Sequence, residues 1–164
     1  MSSRPAELGE PRTNDTEATR NKDYELGHLV LRVVVGVNIL GHGLARIGSP
    51  GAFADALTHD FASTPLPSWS VRLFALTLPF LEFAVGLLVL LGLRLREALL
   101  AGGAIIAALT LGMTLRQQWE VVGLQLIYGL AYAALLAGAR HARFTLDARI
   151  GRTSAPRLHP ARSS

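Results

Sequence analysis

Four apolar stretches, residues 27–47, 69–91, 95–115 and 119–139, fill the centre of this chain. A helix needs about 20 mostly apolar residues to cross a hydrocarbon core roughly 30 Å thick. Lipid offers no hydrogen bonds to an exposed backbone, so segments that cross it must satisfy their N–H and C=O groups internally, as helices do. The expected fold is therefore all-α: an integral membrane four-helix bundle. That constraint removes most readings as a soluble enzyme before any motif is considered.

The chain has 164 residues and a formal net charge of +4, with a pI near 10.3. Its basic residues sit at the ends of the apolar stretches and in the C-terminal tail. This is the pattern of lipid-headgroup contact and topology control, not of a nucleic-acid stripe, so no nucleic-acid partner is expected. Cysteine is absent. The chain itself can neither exchange disulfides nor ligate an iron–sulfur cluster, and sulfur redox chemistry would have to come from a partner or a bound cofactor.

Three regions are expected. Residues 1–23, polar and rich in Pro, Glu, Arg and Thr, read as a disordered cytoplasmic tail. Residues 24–150 form the transmembrane domain, and residues 151–164, with Pro156 and Pro160 among Arg and Ser, form a disordered basic tail. Arg20, Lys22, Arg94, Arg96, Arg140, Arg143, Arg149 and Arg152 gather on one side, against Arg46, Arg72 and Arg116 on the other. The positive-inside rule then places both termini in the cytoplasm of a bacterial-type inner membrane. The long link, residues 48–68, carries Phe53, Leu57 and Phe61 at every fourth position. It reads as a short amphipathic interfacial helix between membrane helices 1 and 2, serving either as a seal on the bundle or as a lid over a ligand. Pro65 and Pro67 end it.

Polar residues inside a membrane span are expensive and point to function by default. The first span places Asn38, His42 and Arg46 on one stripe, and the second carries Glu82 near its middle. The third offers Thr110 and Thr114, and the fourth Gln125, Tyr128 and Tyr132. In the orientation above, His42, Arg46, Thr110, Thr114, Gln125 and Tyr128 fall in the outward half of the bundle, with Glu82 near the midplane. Glu82 and His42 are the candidate catalytic pair, handling protons and anchoring a quinone headgroup. Asn38, Arg46, Arg72, Thr110, Thr114, Arg116, Gln125 and Tyr128 are the candidate ligand-binding set. A competing reading makes Glu82 an interhelix polar clasp. The outward arginines can recognise a small anion or an acidic partner, or reach the lipid phosphates. His42 has no second histidine at matching depth, so neither haem nor a metal is expected.

Three segments in order resemble the DoxX-like small membrane proteins. The first is Gly41, His42 and Gly43 followed by Arg46; the second is Glu82, Gly86 and Leu90, Leu91, Gly92; the third is Gly138 followed by Phe144, Thr145, Leu146 and Asp147. The resemblance spans residues 26–150 and carries over His42, Arg46, Glu82 and Asp147 by position. It implies a four-helix membrane fold and, more loosely, the membrane subunit of a quinone-linked oxidoreductase acting on a sulfur oxyanion or in redox stress. Such a subunit would need a quinone cofactor and a partner protein. A membrane anchor or assembly factor for a partner complex is the alternative.

Overall fold

The computed structural model describes residues 13–139. It is helical throughout: α1 (Thr13–Ile47), α2 (Pro50–Asp60), α3 (Ser68–Leu91), α4 (Leu95–Leu115) and α5 (Trp119–Gly138). Four of these, all but α2, are long and apolar enough to cross a membrane. Their outer faces are apolar as well: Leu124, Leu126, Ile127 and Leu130 of α5 are 60–71% exposed. Lipid, not water, is the solvent such a face fits. The protein is a multi-pass membrane protein with α2 inserted between its first two spans.

α1 starts earlier than the sequence suggested. Residues 13–23, read as disordered tail, form its first turns. Pro11 lies just upstream, and no glycine or proline interrupts residues 13–26. Extending a helix that its apolar part has already nucleated adds a hydrogen bond for each residue fixed. At about 1.5 Å per residue, α1 outruns the hydrocarbon core by roughly 20 Å. Residues 140–164, which include Asp147, His141 and the tail arginines, lie outside the described residues.

The spans form a ring in the order α1, α3, α4, α5, and α2 packs chiefly on α3. Glycines set the closest seam. A Cβ on Gly43 would lie 2.5 Å from the backbone nitrogen of Phe83, and one on Gly86 would lie 2.5 Å from that of Leu40. Neither position has room for a side chain, so α1 and α3 touch backbone to backbone. On the α4–α5 seam the Tyr132 ring fills the space over Gly102. By contrast, Gly103 and Gly123 face open space and hold no seam.

α3 continues through Pro79 and ends at Gly92, whose φ of 66° is left-handed. Leu93 N–H donates to Leu88 C=O and Gly92 N–H to Val89 C=O, the bonding pattern of a Schellman cap. Away from α2, the bundle is packed with Val35, Val85, Val89, Leu99 and Leu135. Arg32 of α1 is buried as well, at 4% exposed.

Overpacking a tight seam costs about 1–3 kcal/mol, and more when backbone must move. Gly86→Val should therefore lower the thermal unfolding midpoint in detergent clearly, while Gly103→Ala should leave it within error or raise it slightly.

Candidate functional site

The α1–α3 contact has a chemical consequence one turn further on. It brings Arg46, at the end of α1, onto Glu82 in the middle of α3. Arg46 Nη1 donates to Glu82 Oε1 at 2.9 Å and to Oε2 at 2.7 Å. Glu82 is 3% exposed, while the Arg46 side chain keeps 30% of its surface. The guanidinium also lies over the Phe53 ring of α2, 4.9 Å from its centroid. A carboxylate this deep is tolerable because a cation and two charge-assisted hydrogen bonds accompany it.

The pair lines a cavity of about 390 Å³ in the end of the bundle beneath α2. Asn38 and His42 of α1 and Gln125, Tyr128 and Tyr132 of α5 share its wall. Asn38 Nδ2 donates to the Tyr128 hydroxyl at 3.4 Å. Gln125 and Tyr132 are 8% and 3% exposed. Gln125 Oε1 and the Tyr132 hydroxyl are buried with no hydrogen-bond partner among the described residues. Native interiors rarely leave such groups unsatisfied. His42 is exposed, as is Leu124 across from it, and both belong to the lining; the cavity therefore opens on this side.

Six of the ten candidate residues thus meet: Asn38, His42, Arg46, Glu82, Gln125 and Tyr128. The other four are elsewhere. Thr110 and Thr114 donate to the carbonyls of Ile106 and Thr110 on their own helix, each at 2.8 Å. Arg72 pairs with Asp55 of α2. Arg116 reaches Asp60 of α2 at 3.3 Å and lies 5.3 Å over the Phe61 ring. Spans α1, α3 and α4 therefore each extend one arginine to α2, and these three arginines act as clasps for that helix. Among the described residues, no group of three His, Asp or Glu side chains is placed to hold a metal.

A family model, the methylamine utilisation protein MauE, matches residues 25–122, well over half of the chain. The chain belongs to the MauE family. No curated protein and no solved structure matches it. The kinship with DoxX-like proteins holds at the level of related four-helix membrane proteins; the family matched is MauE. The matched segment contains Asn38, His42, Arg46 and Glu82 but stops short of Gln125, Tyr128 and Tyr132.

Tyr132 and Phe53 are among the lining residues of this MauE-family chain that were absent from the candidate set. Tyr132 shares a helical face with Gln125 and Tyr128, and Gly102 opposite it was the sign that its ring packs inward. Phe53 belongs to the α2 stripe, and no pattern in the sequence indicates that it stacks on Arg46.

Because both members of a buried ion pair depend on each other, a double-mutant cycle should detect the pair. Arg46→Met and Glu82→Gln should each destabilise the protein, and the double variant should lose less than the sum. The expected coupling is about 1–3 kcal/mol in detergent unfolding. Strict additivity would mean that the two side chains do not interact. The α2 clasps are weaker, since exposed pairs contribute only about 0.2–1 kcal/mol each. Asp55→Asn with Asp60→Asn should speed hydrogen exchange within Pro50–Asp60 and leave exchange in the four spans unchanged.

Proposed function

We propose that this MauE-family protein holds a quinone headgroup in the cavity beneath α2 and acts as the membrane subunit of a quinone-linked oxidoreductase. The observation that carries this reading is the pair of buried, unpartnered polar atoms, Gln125 Oε1 and the Tyr132 hydroxyl, facing the same cavity as Arg46 and Glu82. A mostly apolar cavity of this volume with a few convergent polar groups is the usual form of a small-molecule site.

The residues present suit such a headgroup. Quinone carbonyls accept hydrogen bonds, and the Tyr132 hydroxyl, the Gln125 amide and the guanidinium of Arg46 donate them. The reduced form donates through hydroxyls, and Gln125 meets it by turning its amide so that Oε1 accepts. A bound quinone supplies a lipid-soluble carrier of two electrons and two protons. Glu82 holds Arg46 in place through Nη1, leaving the Nε and Nη2 donors for the ligand. This is a positioning role, since each carboxylate oxygen accepts a hydrogen bond from Arg46. His42, exposed at the rim, is placed to pass protons between the cavity and the exterior.

The family name supports a redox context. Oxidising an amine releases electrons, and a quinone site in the membrane gives them an acceptor. The described residues form only membrane helices and α2, so the oxidation itself falls to a partner protein. Sulfur oxyanions are less favoured as the donor, because Arg72 and Arg116 are engaged by Asp55 and Asp60. The asymmetry of Arg and Lys supports an inner membrane with both termini cytoplasmic.

A short-tailed benzoquinone, titrated against the purified protein in nanodiscs, tests the reading. Tyr132→Phe and Gln125→Leu should each weaken binding about tenfold, near 1.4 kcal/mol, the scale of one lost buried hydrogen bond. No saturable binding, or equal affinity in the double variant, would sink it. A partner protein recovered from gentle purification without any quinone would shift the assignment to a membrane anchor or assembly factor.

A further inference from the structure

The four seams of the ring are not alike. α1 and α3 meet backbone to backbone at Gly43 and Gly86, and α4 and α5 meet through the Tyr132 ring on Gly102. The seam between α5 and α1 is the loosest of the four. At its inner end His28 Nε2 donates to the Leu135 carbonyl at 3.1 Å, and His28 packs against Gly138. Halfway along, the long Asn38–Tyr128 hydrogen bond crosses it. Just beyond that bond lies the open side of the cavity, where His42 and Leu124 are exposed. The outer faces of α1 and α5 on either side are apolar: Val34, Val37 and Ile127 are 54–64% exposed.

We propose that the gap between α1 and α5 is a lateral portal, through which a membrane-dissolved, apolar-tailed ligand inserts its headgroup while its tail stays in the outer-leaflet lipid. This rests on the quinone reading of the cavity and specifies the ligand as a lipid-tailed one taken from the bilayer. The other routes are less open. α2 crosses the outer end and is clasped by Arg46, Arg72 and Arg116. The inner half is packed with apolar side chains. An apolar slot of about 190 Å³ does run between α3 and α4 under α2. Leu57, Leu109 and Met113 stand between it and the cavity, lining both. Entry there would require those three side chains to part, whereas the mouth between α1 and α5 is bounded by the exposed His42 and Leu124. Asn38 and Tyr128 form the sill, a weak polar contact at the depth where the headgroup stops.

A benzoquinone bearing a decyl tail with a terminal diazirine discriminates these routes on the full chain, in nanodiscs of phosphatidylethanolamine and phosphatidylglycerol. Photolabel should concentrate on the lipid-facing residues beside the portal, Val34, Val37 and Ile127, and an excess of tail-less benzoquinone should remove it. Label on Phe74 and Leu111 would put the tail in the α3–α4 slot and overturn the portal while leaving the headgroup site intact. Label spread over all lipid faces would also overturn it. Label that tail-less benzoquinone cannot displace would defeat the quinone reading itself. In a second measurement, Leu124→Trp at the mouth should slow association of the tailed quinone about tenfold, as expected when entry is obstructed. Leu81→Trp on the lipid face of α3 should leave that rate alone. An unchanged rate in Leu124→Trp would also overturn the proposal.

Discussion

The contact on which the site depends is one between two backbones. Gly43 and Gly86 remove the side chains that would hold α1 and α3 apart, so the helices meet at a distance no other residue permits. Arg46 follows Gly43 by three residues and Glu82 precedes Gly86 by four, which sets both charges on the contact face. Their ion pair is thus a result of glycine packing as much as of electrostatics. The low dielectric around Glu82 makes the pair costly to separate and tolerable only when complete. A wider seam would leave the carboxylate buried without its cation.

Much of this arrangement was legible in the sequence, for identifiable reasons. Length and hydropathy fix the four spans because the bilayer sets a narrow range of lengths. The spacing of Asn38, His42 and Arg46 fixes their common face because a helix has only one period. The rarity of charge in lipid singles out Glu82. What was not legible depends on distances between helices. Nothing in a one-dimensional pattern tells whether Glu82 pairs with His42 or Arg46, or that Thr110 and Thr114 turn back to their own backbone. Arg72 and Arg116 were read as recognising a small anion or an acidic partner, or as reaching lipid phosphates; their partners are Asp55 and Asp60, within the link they border. The polar first turns of α1 were misread because composition describes a segment in isolation, whereas a helix already formed extends into its neighbours.

α2 illustrates how several weak contacts position one element. None of its three arginine contacts is worth much alone, and the Arg72–Asp55 pair is exposed on both sides. They originate from different spans, however, and converge on a helix of 11 residues. A lateral shift of any one span relative to the others would disturb at least one clasp. The helix that roofs the cavity is therefore sensitive to the relative position of the spans, and Arg46 belongs to both the roof and the buried pair.

The Tyr132 ring rests where a side chain on Gly102 would be, its carbons as little as 2.3 Å from that missing Cβ. The ring is thus drawn back into α4 by the width of a methyl group. Any larger residue at 102 would drive it outward, towards Gln125 and into the cavity. A hydrogen atom on a neighbouring helix, in contact with no ligand, so sets the depth of the chamber and the girth of whatever it admits.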